Sequence, residues 1–246
     1  MLRDCCETDN LRAMNLVVFD VDGTLTETMG VDTDCFVRSL DQVFGFKHVD
    51  TDWSAYKHVT DSGVLQEIHE GRVGRGPVVS EVARFREHFV TLLTQAWHES
   101  PFAEVPGAAR CLEELNESKE YRVSLATGGW RASARLKMAS AGMCYDDYPW
   151  ASADDSSERE AIIKLSMERA AQRHGEFDDV LFVGDGVWDA RACRNLGLPF
   201  IGIGAGDQAK QLQAEGAACV LRDFNDGELF FKRLQEVMNA PVSGPR

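Results

Sequence analysis

Three short segments, far apart in the chain, combine residue types that could move a phosphoryl group. The first is Asp20-Val21-Asp22-Gly23-Thr24, at the end of the apolar run LVVFDV (16–21). Two carboxylates two residues apart, just past a strand end, can face one cleft once the chain leaves the pleat. One can then attack phosphorus while the other exchanges a proton with the leaving or entering oxygen. Gly23 permits the sharp turn that such a loop requires. The second segment is Thr127-Gly128-Gly129, where a hydroxyl and exposed backbone N–H groups lead into a helical pattern, a natural cradle for phosphate oxygens. The third is Gly184-Asp185-Gly186-Val187-Trp188-Asp189, with two acids four residues apart. Hard oxygen donors of this kind suit Mg²⁺, which is held by one or two carboxylates together with waters and phosphate. A calcium loop would need further oxygens at alternating positions, and Val21, Gly23 and Leu25 with Thr26 do not supply them.

The elements that must position these segments can be read from hydrophobic spacing. LVVFDV, YRVSLAT (121–127), DVLFVGD (179–185) and PFIGIG (199–204) are short apolar runs, the pattern of strands buried on both faces, and AACVLRDF (217–224) adds a candidate edge strand. Helical patterns separate them at 108–117, 132–142 and 158–174, and a last one runs through GELFFKRLQEVMN. The alternation predicts a doubly wound α/β core whose parallel sheet binds ligands at the carboxyl ends of its strands, where the three segments lie. Residues 26–98 break the rhythm. CFVRSLDQVF, SGVLQEIHE and EVARFREHFVTLLTQAW have apolar residues three and four apart and no convincing buried strand among them. The expected organisation is therefore core (1–25), a small α-helical cap (26–98) and the rest of the core (99–246).

DVDGTLT, LATGG and VGDGVWD, in that order, resemble the haloacid dehalogenase-like hydrolase superfamily, in particular phosphoglycolate phosphatase-like members with an α-helical cap, and the resemblance covers nearly the whole chain. It implies that Asp20 is the nucleophile forming an aspartyl-phosphate and that Asp22 is the general acid and then the base. Asp20, Asp22 (through its backbone carbonyl), Asp185 and Asp189 would form the Mg²⁺ site, Asp189 supporting the metal waters or the basic residue. Gly23, Thr24, Thr127, Gly128 and Arg159 would hold the phosphate. The family also needs a Lys or Arg beside the nucleophile. Arg159, 26 positions before Asp185, fits the usual spacing better than Lys164, 21 before it, and starts its helix, although Lys-Pro is the more common motif there. Arg is always charged and grips two oxygens at once, so the role survives the change. Glu27-Thr28 stands where many capped relatives have Asp-Ser, at the hinge to the cap, and no catalytic role is expected of Glu27.

Specificity should come from cap loops that close over the site. The candidates are His58–Gly63, in which Thr60 or Asp61 can equally serve as a helix N-cap, and the turn arginines Arg72 and Arg75, which are equally plausible as solvated residues. Trp130 and Arg131 either line the pocket or begin the next helix, and Trp188 is expected to pack under the metal loop. The six histidines share no ligand spacing.

Bulk properties narrow the partners. With 26 basic and 40 acidic side chains the formal charge is −14, which disfavours nucleic acid and anionic membrane but not a small anion in a locally positive site. Seven scattered cysteines without zinc spacing read as reduced thiols. An acidic N-terminal stretch and the lack of a long apolar run lead to the expectation of a cytoplasmic enzyme, monomer or homodimer, acting on a small phosphorylated metabolite. A phosphomutase of the β-phosphoglucomutase type, and an idle binding or regulatory protein on the same fold, are the alternatives. Because every expected catalytic position is filled, the idle reading has little support.

Overall fold

The computed structural model describes residues 14–240. Six parallel strands form one sheet in the order β3-β2-β1-β4-β5-β6: β1 (Asn15–Phe19), β2 (Tyr121–Ala126), β3 (Trp150–Ala151), β4 (Val180–Gly184), β5 (Phe200–Ile203) and β6 (Cys219–Leu221). The first strand is central because it is apolar on both faces. Val17 and Phe19 enter one core layer and Leu16 and Val18 the other, all fully buried. The first layer is closed by α4 (Ala108–Glu117), α5 (Arg131–Ser140) and α9 (Gly227–Met238), and the second by α6 (Arg159–His174), α7 (Val187–Leu196) and α8 (Gly206–Ala214). From β1 the chain builds outward through β2 to β3, then returns to the other side of β1 with β4, so the order reverses at β1. In doubly wound sheets ligands bind at such a reversal, outside the carboxyl ends of the strands.

The register aligns the chemistry. Phe19 lies opposite both Leu125 of β2 and Val183 of β4, so the chain leaves all three strands at one level, placing Asp20, Thr127 and Asp185 side by side. Between β1 and α4 lie the helices α1 (Met29–Phe44), α2 (Asp61–Val73) and α3 (Val79–Glu99). They enclose a separate aromatic core around Phe36, Phe85 and Phe89. Trp130, from the core loop after β2, is 1% exposed and is inserted into that cluster, 6.3 Å from Phe36 and 5.9 Å from Phe85 between ring centroids.

The five runs read as strands all form strands. Three elements escaped the sequence reading. β3 is a two-residue edge with no room for a pattern, α8 buries only Leu212, and α7 begins inside the acidic motif, which reads as a turn. Arg72 and Arg75 are exposed and structural: Arg72 donates to the carbonyls of Lys47 and His48, and Arg75 pairs with Glu81. Cys35, Cys111 and Cys193 are buried free thiols, and Cys5 and Cys6 lie outside the described residues. None of the described helices is long and apolar enough to cross a membrane. Because Phe89 is fully buried against three aromatic rings, Phe89→Ala should lower stability by about 3–5 kcal/mol in chemical denaturation, through lost burial and the cavity left behind.

Candidate active site

The loop after β1 is folded by its own backbone. Leu25 and Thr26 donate N–H groups to the Val21 carbonyl, and Gly23 donates to Thr26. Gly23 takes φ +76°, and a Cβ there would lie 2.2 Å from Asp185 Oδ2, so both the turn and the close approach of the β4 loop need glycine. This seats Asp20, 3% exposed, on the sheet edge with its N–H on the Val183 carbonyl at 3.0 Å.

Arg159 is the first residue of α6, which points it at the strand ends. Its Nη2 donates to Asp20 Oδ1 at 2.9 Å and its Nε to Asp189 Oδ1 at 2.7 Å. All three side chains are buried. Burial works to lower the Arg159 pKa, but the carboxylates of Asp189 and Asp20 outweigh it and hold it above its usual value. Lys164, its rival in the sequence, is exposed. Asp185 faces Asp20 from the end of β4. Ligand oxygens of Asp20, Asp185 and Asp189 lie within 4.8 Å of one another, close enough to share a cation. Burial pushes Asp20 up to about 8, against the pull of Arg159, and holds Asp185 well above the usual carboxylate range, with the neighbouring carboxylates adding to it. Asp185 Oδ1 is buried and accepts no hydrogen bond, although Gln208 holds the carbonyl and Oδ2 of the same residue at 3.0 and 3.2 Å. An orphaned anionic oxygen among three clustered carboxylates fits a hard divalent cation.

Asp22 faces away from this trio. Its Oδ1 accepts from Thr28 Oγ at 2.5 Å, and its Oδ2 from Lys137 Nζ at 2.9 Å. Lys137, on α5, is fully buried and also pairs with Asp32 of α1. Burial lowers its pKa less than Asp22, Asp32 and Asp61 raise it, so it stays charged. The sequence does not single out Lys137, and it marks Thr28 only at the hinge to the cap. A lysine at the end of an amphipathic helix has the signature of a solvated residue, and only the packing of α5 against the cap turns it inward.

A cavity of about 80 Å³ lies between these two clusters, lined by Asp20, Asp22, Thr127, Gly128 and Arg159 on the core side. Thr127 Oγ1 accepts the Gly129 N–H at 3.0 Å, and a Cβ on Gly128 would lie 2.3 Å from Arg159, so the loop must be this bare to approach the guanidinium. Two of the expected phosphate contacts sit elsewhere: Gly23 packs against Asp185 outside this cavity, and Thr24 is buried in the core. The turn that brings Asp22 to the cavity points both away from it. Cap residues Thr60 and Asp61 also line the cavity, and Thr60 is at the same time the N-cap of α2, accepting from Gly63 N. The two roles proposed for that loop are thus compatible. Trp188 stands on the cavity wall over Gly186 rather than beneath the metal loop, and Trp130 and Arg131 begin α5. Arg159→Met should cost about 3–5 kcal/mol in denaturation because it leaves two buried carboxylates without their partner, whereas Lys164→Met should stay within about 0.5 kcal/mol of the parent.

The fold has counterparts. Solved structures with the same fold include a hydrolase from Pseudomonas syringae (TM-score 0.72, 20% identity, covering 93% of this chain and 100% of that one). CbbY from Rhodobacter sphaeroides in complex with phosphate aligns with TM-score 0.65 and 19% identity over 87% of this chain and 96% of its own. A predicted phosphoglycolate phosphatase from Haemophilus somnus aligns with TM-score 0.63 and 16% identity over 89% and 98%. At these identities the likeness is one of fold. Among curated proteins, none matches the sequence significantly. The haloacid dehalogenase-like hydrolase family model matches residues 14–197, from the first strand through the Asp185–Asp189 motif and α7, and the chain belongs to that family.

Proposed function

We propose that the protein is a Mg²⁺-dependent phosphatase that hydrolyses a small phosphomonoester through an aspartyl-phosphate on Asp20. The observation that carries this reading is the pair of opposed clusters around one small cavity: Asp20 held by Arg159 on one side and Asp22 held by Lys137 and Thr28 on the other. A nucleophile and a proton donor must flank the phosphorus in this way for in-line displacement.

Arg159 fixes one oxygen of Asp20, and the other attacks phosphorus. The new Asp20–phosphorus bond forms as the ester P–O bond breaks, and Asp22 passes its proton to the leaving oxygen. Water then attacks the same phosphorus, Asp22 takes a proton from it, and the bond to Asp20 breaks to release phosphate. Arg159, the Thr127 hydroxyl and the Gly128 N–H bind the oxygens of the transferring group and stabilise its charge. Asp20, Asp185 and the Asp22 carbonyl would hold Mg²⁺, with Asp189 engaged by Arg159; the ion would supply charge neutralisation at phosphorus when bound. Lys137 and Thr28 orient the Asp22 carboxylate. The cap helices narrow the site to a cavity far smaller than the ~300 Å³ at which pockets for drug-sized ligands begin, which favours a small substrate.

Phosphate release from a panel of small phosphomonoesters and an aryl phosphate, with Mg²⁺ and with chelator, tests the reading. Asp20→Asn, which keeps the size and removes the nucleophile, should lower turnover by roughly 10³-fold or more. Persistent activity in that variant would sink the assignment, and phosphoryl transfer within a sugar phosphate without release would make the enzyme a mutase. A second measurement bears on the metal. Burial raises Asp20 to about 8 in the metal-free chain despite its pairing with Arg159, so a cation bound there competes with a proton. Mg²⁺ affinity, followed by calorimetry, should therefore rise from about pH 6 to about pH 8 with release of a proton. An affinity independent of pH over that range would place the ion away from Asp20.

A further inference from the structure

The cavity has two chemically distinct ends. At the core end stand Asp20, Thr127, Gly128 and Arg159, and the phosphoryl group belongs there on the reading above. The cap end is walled by Asp32 and Asp61 together with the aromatic rings of Phe36 and Trp53, and Trp188 reaches in from the core. Among the described residues that line the cavity, Arg159 is the one cationic side chain, and it is already engaged by Asp20 and Asp189. Lys137 lies fully buried behind the wall, in contact with Asp22 and Asp32.

The charges at the cap end do not balance. Lys137 supplies the single ammonium beside three carboxyl groups, Asp22, Asp32 and Asp61, and burial still raises Asp32 to about 6 and Asp61 well above the usual carboxylate range, so this one cation does not offset the buried acids. A leaving group bearing a carboxylate or a second phosphate would add to this excess and meet no free cation, a costly arrangement for buried charge. One positive charge would complete it. Aromatic rings and acids that line one cavity are surroundings in which an ammonium can be held by carboxylate contacts and cation–π attraction together. The span between the ends is fixed as well. Asp61 Oδ2 accepts the Trp130 N–H at 2.9 Å, and Asp61 N–H donates to the Gly128 carbonyl at 2.7 Å, so the acid of the cap end is bonded directly to the phosphate loop.

We propose that the substrate is a short-chain phosphomonoester whose leaving group carries an ammonium, received by Asp61 and Asp32 beside the aromatic wall of the cap. The inference rests on the phosphatase reading and adds the charge and length of the leaving group: an ammonium within a few bonds of the ester oxygen, in a cavity of about 80 Å³.

The test compares kcat/KM for 2-aminoethyl phosphate, the neutral isostere 2-hydroxyethyl phosphate and anionic carboxymethyl phosphate, with an aryl phosphate as a reporter of the chemistry itself. The ammonium ester should lead its neutral isostere by about tenfold or more, with the anionic ester last. Asp61→Asn keeps an acceptor for the Trp130 N–H, and in this variant the ratio should fall to within about threefold; Asp32→Asn should reduce it in the same direction. Should both variants fail to fold, the native enzyme still decides, because ethanolamine should inhibit aryl phosphate hydrolysis competitively and ethylene glycol should not. Equal rates for the three esters, or a lead for the anionic one, with release abolished by Asp20→Asn, would overturn the ammonium assignment while leaving the phosphatase reading intact. A preference that survives Asp61→Asn unchanged would overturn the placement of the ammonium. Silence toward every ester, the aryl phosphate included, would remove the phosphatase reading and this inference with it.

Discussion

Packing Asp20, Asp185 and Asp189 at the edge of a parallel sheet brings three negative charges together where water cannot screen them, and burial acts to neutralise each. Arg159 is what permits the arrangement. Its guanidinium reaches Asp20 through one edge and Asp189 through another, and its own burial is offset by the two carboxylates it serves. Much of the core follows from that contact. Helix α6 must begin at the sheet edge to deliver Arg159, the loop at Gly128 must be free of a side chain to let it through, and Gly184 must be bare because a Cβ there would lie 2.7 Å from Asp189. A lysine could neutralise one acid as a point charge, but the two-edged grip on separate carboxylates belongs to arginine.

A second buried charge cluster repeats the logic between the cap and the core. Lys137 joins Asp22, from the core loop, to Asp32, from the first cap helix, while the cap loop at Thr60–Ser62 is sewn to the core by hydrogen bonds. Thr60 donates to the Ser157 carbonyl, Ser62 to the Ala153 carbonyl, and the Trp130 indole to Ser62. Trp130 carries the apolar share of this joint, because its ring is buried among cap phenylalanines while its backbone starts a core helix. Asp22 is thus held by Lys137 and Thr28, and Lys137 links it in turn to Asp32 of the first cap helix.

The architecture was legible where burial leaves a strong mark. Strands covered on both faces must be apolar throughout, so LVVFDV and DVLFVGD stand out, and acids directly after such runs have to emerge at a strand end. Elements that bury little left no such mark: the two-residue β3, the polar α8, and α7 hidden inside its own acidic motif. Within the site, Asp20, Asp22, Thr127, Gly128, Asp185 and Asp189 could be picked out because they lie in short motifs at strand ends, and Arg159 because of its spacing before Asp185 and its place at a helix start. Gly23 and Thr24 belong to the same motif yet point away from the cavity, since a sharp turn sends successive residues in different directions.

What the sequence determined by itself is therefore the succession of five apolar strands and the strongly patterned helices, the helical stretch that follows the first strand and the acids at the strand ends, all of which depend on the neighbours of a residue along the chain. Tertiary structure decided that Arg159, which spacing favoured, and not Lys164 meets Asp20, since the two share one helix and differ in the direction its packing turns them. It decided as well that Lys137 is drawn inward to Asp22 and Asp32, and that Asp61 faces the cavity from across the cleft. These partners are separated by tens of residues or more, and an ion pair between them exists only once sheet, helix and cap have set the distance, the burial and the absence of water that give it its strength.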